Sequence, residues 1–341
     1  MSIFSISLFF VSLTLGSTIT LFSNHWLLAW LGLEINALAI IPLMVKTPHP
    51  RSIEAATKYF LVQAIASALL IFACTLNLWL TGEWAIFPAL ENIPSILLSI
   101  ALLMKLGIAP FHFWMPDVLQ GLTLLTGLIL STWMKLPPAI LMYQFNDTLN
   151  LSLLLTTGLI STILGGWGGI NQTQIRKFLA FSSIAQLGWM TAVLKLSPNL
   201  ALFNFTIYIL LTSTLFLIFI DLNSGSLLKL MSSWTKFPAL GSLTALTLLS
   251  ISGLPPLTGF TPKWLIIKEM LSQEFMFIAL LMLLFSLLSL FYYLRFTYTM
   301  MTLCPQMSYS TTPWTHHLKT LVGTLFALSI LLAPMLPLIC S

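Results

Sequence analysis

Apolar runs close to twenty residues long recur along almost the whole of this chain, and each is long enough to cross about 30 Å of hydrocarbon. They extend from Ile3 to Phe22, Trp26 to Val45, Ala56 to Leu80, Ile96 to Trp114, Leu122 to Tyr143 and Leu151 to Ile170. They continue from Phe178 to Leu194, Leu200 to Ile220, Ala239 to Ile267 with an interruption, Phe275 to Leu294 and Leu321 to Ile339. Composition agrees: 58% of the 341 residues are hydrophobic and 7% charged, with a mean hydropathy of +0.98, against roughly 25% charged in soluble domains. Strands would leave backbone groups unpaired in lipid, and the alternating pattern of a membrane barrel is absent. The expectation is an all-α membrane protein of about eleven transmembrane helices.

No Lys or Arg precedes Lys46, so the first run lacks the basic flank of a signal or transit peptide and is expected to stay as a helix. Cys74, Cys304 and Cys340 are far apart and form no CxxC pair, which points away from a zinc site, a cluster or a disulfide framework. Asn146, Asn171 and Asn204 begin N-x-T triplets, and the last lies inside an apolar run; all three are read as chance. A net charge of +5 would suggest nucleic acid in a soluble protein, but in a membrane protein the distribution of charge over the loops is what informs. With the N-terminus inside, the inner loops hold Lys46, Arg51, Lys58, Arg176, Lys177, Lys229, Lys236, Arg295 and Lys319, and the outer loops only Lys195 and Lys268. This bias places the N-terminus inside and the C-terminus outside.

With the acids Glu54, Asp117 and Asp221 in the inner loops and Glu83, Glu91, Asp147, Glu269 and Glu274 in the outer ones, four charged residues remain, and all lie within the apolar runs: Glu34, Lys105, Lys135 and Lys263. An ionised group at the bilayer centre costs at least about 2.5–3.5 kcal/mol on insertion scales, so each needs a partner, water or a function. Lys105 is nine residues from both Ile96 and Trp114, about 13 Å from either end of its run and beyond the roughly 6 Å reach of a snorkelling stem. Lys135 lies closer to the end of its run, where snorkelling is an alternative. One Glu and three Lys can form only one pair, so a static pair with two hydrated lysines competes with a proton relay.

A second pattern coincides with these charges. Gly107-Ile108-Ala109-Pro110 and Gly253-Leu254-Pro255-Pro256 share Gly-x-x-Pro, and Pro116 and Pro262 follow six residues later. Proline removes a backbone donor and glycine permits close approach, so both helices are expected to break at membrane depth, near 107–116 and 253–262. Such a break is tolerated only where protein covers it or a wet cavity adjoins it. A single break would pass as a proline kink. Two of them, in the fourth and ninth helices, suggest inverted repeats over residues 1–145 and 146–300, followed by a loop and a final helix over 301–341.

Four segments carry a more specific resemblance: Leu33-Glu34-Ile35-Asn36, Lys58-Tyr59-Phe60-Leu61-Val62-Gln63-Ala64, and the stretches from Lys105 to Asp117 and from Gly253 to Trp264. They resemble the antiporter-like, proton-pumping membrane subunits of mitochondrial respiratory complex I, NADH:ubiquinone oxidoreductase. The length and helix count are similar to the animal form, which lacks three N-terminal helices of bacterial relatives.

The resemblance implies a proton relay in the inner mitochondrial membrane, with the N-terminus in the matrix and the C-terminus in the intermembrane space. Glu34 and Lys105 would form a charge pair, Lys135 would continue the polar axis and Lys263 would lead to the opposite side. His112 would relay protons near the first break; on residue chemistry alone it is equally a core histidine bonded to backbone freed by Pro116. FMN, iron–sulfur clusters and ubiquinone would belong to other subunits of the complex, with no cofactor or metal in this chain, which would not function alone. Its expected partners are those subunits, further antiporter-like ones among them, and membrane lipids. A stand-alone cation/proton antiporter is the alternative, disfavoured because Glu34 is the sole membrane acid and a cation site wants oxygen ligands. A purely structural subunit would leave the central lysines unexplained.

Overall fold

The structure is a computed structural model that describes residues 3–84, 92–236, 238–255 and 257–302. Among the described residues it contains fourteen α-helices. In chain order they are α1 (Ile3–Phe22), α2 (Trp26–Met44), α3 (Pro50–Thr81), α4 (Asn92–Leu106), α5 (Trp114–Gly121), α6 (Leu124–Ser131) and α7 (Leu136–Gln144). The rest are α8 (Leu151–Gly169), α9 (Ile175–Val193), α10 (Pro198–Asp221), α11 (Leu227–Lys236), α12 (Pro238–Ser252), α13 (Phe260–Ser272) and α14 (Met276–Thr302). Among the described residues, seven spans are long and apolar enough to cross a membrane: α1, α2, α3, α6 with α7, α8, α10 and α14. Each of the first ten apolar runs contains helix. The eleventh, Leu321 to Ile339, lies outside the described residues, as do Lys319, Cys304, Cys340 and Pro256.

Three runs differ from a single uninterrupted helix. The run ending at Trp114 is α4 followed by an irregular segment, and α5 begins at its last residue; the ninth run divides into α12 and α13. The fifth run is cut by a 3-10 turn at Trp133–Lys135, after which α7 starts afresh at Leu136. Pro137 and Pro138 explain the restart, because proline lacks an N–H and the first turn of a helix is where none is needed. The segment carrying Lys229 and Lys236, expected as a loop, forms the ten-residue α11.

The chain divides into two compact units, Met1–Ser161 and Thr162–Ser341. In the first, α1 packs along α2 through small residues. A Cβ on Gly32 would meet Thr20 Cγ2 at 2.6 Å and the Gly16 carbonyl at 2.7 Å, so only glycine lets the two backbones approach. The 32-residue α3 is capped at both ends, by His49 and Ser52 in a reciprocal capping box and by Gly82 at φ +78°. At about 1.5 Å per residue it outruns the hydrocarbon core, and its first turns carry the exposed Arg51 and Glu54 and the half-buried Lys58. Both α4 and α5 pack on α3, with α5 drawn close where a Cβ on Gly121 would meet the Arg51 carbonyl at 2.6 Å.

In the second unit α10 packs against α9, α12 and α13, while α14 lies on α11, α12 and α13. Phe178 anchors this core, stacked on Phe296 at 4.6 Å with Tyr292 and Tyr293 edge-on at 5.3 and 5.5 Å. The outer face of α14 presents Leu280, Leu283, Leu284, Leu287 and Phe291, all exposed. Such a stripe suits acyl chains and would be a liability in water.

Candidate functional site

The two irregular segments are the same local structure built twice. Each upstream helix, α4 or α12, ends in a glycine with positive φ, Gly107 at +73° and Gly253 at +87°. In the first, Gly107 N–H donates to Met104 O (3.2 Å) and Ile108 N–H to Leu103 O (3.1 Å); in the second, Gly253 N–H donates to Ser250 O (3.0 Å) and Leu254 N–H to Leu249 O (3.4 Å). This paired bonding is a Schellman C-cap, which requires the left-handed residue that glycine supplies. Each cap is followed by a turn, Phe111 N–H to Ile108 O and Leu257 N–H to Leu254 O, both 2.9 Å. Helix resumes seven residues after each glycine, at Trp114 and Phe260. The irregular stretches therefore cover residues 107–113 and, among the described residues, 253–255 and 257–259, narrower than expected. Pro116 and Pro262 sit in the first turn of the resumed helices, α5 and α13, where a missing N–H costs nothing.

A Schellman cap leaves the last carbonyls of the helix to find donors elsewhere. Here those donors are polar side chains brought in from other helices. Gln63 of α3 donates to Lys105 O (3.5 Å), and Gln186 of α9 donates to Ile251 O (3.0 Å). Lys105 and Ile251 each stand two residues before their glycine, so the two carbonyls are equivalent. At the second break the next carbonyl, Ser252 O, accepts from Lys263 Nζ at 2.9 Å. A cation set against the negative end of a half-helix is electrostatically favoured. Gly253 makes that contact possible, since a Cβ there would meet Lys263 Nζ at 3.1 Å.

Each of the three intramembrane lysines is almost wholly enclosed: Lys105 is 6%, Lys135 3% and Lys263 8% exposed. Lys105 is in the last turn of α4, Lys135 ends the 3-10 turn before α7, and Lys263 lies one turn into α13. All three stand beside a helix interruption. Within the first unit, Lys105 and Lys135 share one cavity with Tyr59, Gln63, Asn36 and Trp114. Its volume of about 20 Å³ has room for roughly one water molecule. Within the second unit a cavity of about 10 Å³ adjoins the break, lined by Ser182, Gln186, Asn204, Tyr208 and Pro262 among others. Asn204 Nδ2 and Thr258 Oγ1 are buried there without a protein partner.

Glu34 is half-buried on α2, and its Oε2 is enclosed with no hydrogen-bond partner. The structure shows no ion pair between Glu34 and Lys105, the expected charge pair; Lys105 lines the cavity it shares with Lys135. Buried His112, in the first irregular stretch, lies against the backbone of Pro110 with its ring tilted on Phe113 at 4.4 Å. Its Nδ1 is enclosed and unpartnered. Sequence reasoning gave no role to Gln63, Gln186, Tyr59 or Asn204: Tyr59 and Gln63 entered only within a matching segment and Asn204 only as a chance triplet. The available signal was a lone polar side chain inside an apolar run, weaker than a charge.

Residues 23–289 match the family model described as NADH:quinone oxidoreductase/Mrp antiporter, transmembrane. NADH-ubiquinone oxidoreductase chain 2 of Xenopus laevis is 55% identical over 93% of this chain and 93% of its own length. The protein of the same name from Salmo salar is 52% identical over 96% of this chain and 94% of its own length. A chain in the structure of respiratory complex I from Thermus thermophilus with bound aureothin superposes with a TM-score of 0.88 at 26% identity, covering 99% of this chain and 80% of that one. A chain of the Mrp complex from Dietzia sp. DQ12-45-1b shares the fold, with a TM-score of 0.75 at 18% identity over 84% of this chain and 58% of that one. The chain belongs to the NADH:quinone oxidoreductase/Mrp antiporter transmembrane family, within the chain 2 group of animal NADH-ubiquinone oxidoreductases.

Proposed function

We propose that this chain is a proton-translocating core membrane subunit of respiratory complex I in the mitochondrial inner membrane, and that Glu34, Lys105, Lys135 and Lys263 carry the protons. The observation that supports the relay best is the coincidence of buried lysine with broken helix. At each break an enclosed ammonium meets exposed helix-end carbonyls or a small polar cavity, and in hydrocarbon such groups demand donors and water that also serve proton transfer. A protonated lysine is favoured while the Glu34 charge acts on it, so weakening that coupling pushes the proton from Lys105 toward Lys135 in the shared cavity. His112 has an unsatisfied ring nitrogen with which to take part at the first break.

The driving force lies in electron transfer on other subunits, which hold the FMN, the iron–sulfur clusters and the quinone. The charge bias of the loops supports an N-terminus in the matrix and a C-terminus in the intermembrane space. The matched backbone of the two breaks supports inverted repeats over residues 1–145 and 146–300. Gentle purification tests the assignment to a complex. The chain should migrate in a large assembly that oxidises NADH and takes up protons. A chain that migrates alone and exchanges Na⁺ or K⁺ for protons without NADH would overturn it.

A further inference from the structure

The carbonyls at the broken ends of α4 and α12 have two kinds of donor: an amide that never titrates and, at the second break, an ammonium that does. Gln186 and Lys263 donate to consecutive carbonyls, Ile251 O and Ser252 O, at 3.0 and 2.9 Å. Gln63 holds the equivalent carbonyl of α4, which belongs to Lys105 itself. The two glutamines reach these places from different helices, α3 and α9, and Gln63 is buried. Each also lines the cavity at its own break, Gln63 with Lys105 and Lys135, Gln186 with Asn204, Tyr208 and Pro262. The arrangement is therefore repeated in donor type, in acceptor position and in the cavity beside it.

We infer that Gln63 and Gln186 are positioning residues for proton transfer, fixing the broken helix ends beside which Lys105 and Lys263 gain and lose their protons. A lysine that gives up its proton loses the charge that favours it at the negative end of a half-helix. Were it the sole donor there, loss of the charge would weaken the hold on the helix-end carbonyls in a low-dielectric setting, and the last turn would rearrange. The glutamine amide keeps one carbonyl bonded in both states. The broken end holds its shape through the cycle, and the lysine returns to the same geometry when it is reprotonated. The Gln186 side chain oxygen stays available to the cavity, where Asn204 Nδ2 stands unpartnered, so the same amide can orient a transferring water.

This inference rests on the proton-relay role proposed for the two lysines, and its test separates the two. Gln63→Met and Gln186→Met keep the side chain length and remove the donor, whereas Gln63→His and Gln186→His retain an N–H at a similar reach. Each variant is assembled into the complete complex and reconstituted in vesicles, and the proton-to-electron ratio is measured with NADH as substrate. The methionine variants should assemble at the parental level with the ratio lowered at least twofold, and the histidine variants should stay near parental. A parental ratio in both methionine variants would overturn the inference, as would their failure to assemble, which would make the amides scaffolding only. Lys105→Met and Lys263→Met are measured alongside. If these pump normally the relay itself fails; if they do not and the methionine variants of Gln63 and Gln186 do, only the positioning role fails.

Discussion

At the scale of single residues, two positions without side chains decide as much as the charges do. Gly107 and Gly253 occupy a backbone region that costs other residues about 1–2 kcal/mol, and the space beside each is taken, by Trp114 and by the Lys263 ammonium. Gly253→Ala should therefore act twice, straining the cap and pushing Lys263 Nζ off the Ser252 carbonyl. The expected result is reduced pumping at a given amount of assembled complex, whereas Gly82→Ala, at a positive φ with open space around it, should lower assembly slightly and leave the ratio alone. Equal effects on the ratio would contradict the geometry. The Gly-x-x-Pro pattern made both break positions legible in the sequence. Their extent was not, because Pro116 and Pro262 look like further breakers until the helix start is known to lie two residues before each.

Glu34 and Lys105 belong to the same scale. They carry opposite charges within the apolar runs, so neutralising Glu34 strands an enclosed ammonium, and neutralising both relieves it. In a double-mutant cycle with Glu34→Gln and Lys105→Met, the assembled amount of the double variant should exceed what the two single losses predict. Strict additivity would mean that the two charges are independent.

At the scale of elements, the half-helices have short packing surfaces and depend on their neighbours. The eight-residue α5 is held to α3 by the Gly121 approach, by Tyr59 edge-on to Trp114 at 5.7 Å, and by Lys58, which bridges Glu54 at 2.8 Å and Asp117 at 3.1 Å. The ion pairs are exposed, and such pairs contribute little on their own. Asp117→Asn should leave assembly near parental, while Gly121→Leu, which drives a side chain into the Arg51 carbonyl, should abolish it; measuring assembled complex for both checks this order. The reverse order would show that charge and not close packing seats α5. Hydropathy alone could not reveal the 3-10 turn at Lys135, which lies inside an unbroken apolar run, or α5, which falls between two runs and carries Asp117 and Gln120. Pro137-Pro138 was the cue, and its meaning depended on knowing that proline suits a first turn as well as it ends a helix. The ten-residue α11 was missed for the opposite reason, being too short and too polar to register as a span.

For the whole molecule, the sequence carried the fold class because the demand for internally bonded backbone in lipid leaves few options for a chain this apolar. It carried the lysines because charges stand out in apolar runs. It did not carry the amide donors or the cavities, which arise only when distant helices converge: Gln63 and Lys105 are 42 residues apart, Gln186 and Ile251 65. The central claim is that protons cross through these enclosed lysines, and Lys105→Met tests it most directly, since methionine keeps the stem and cannot titrate. In vesicles containing the fully assembled complex, NADH-driven proton pumping should be abolished in Lys105→Met with the helices still inserted, whereas pumping at the parental proton-to-electron ratio would contradict the account.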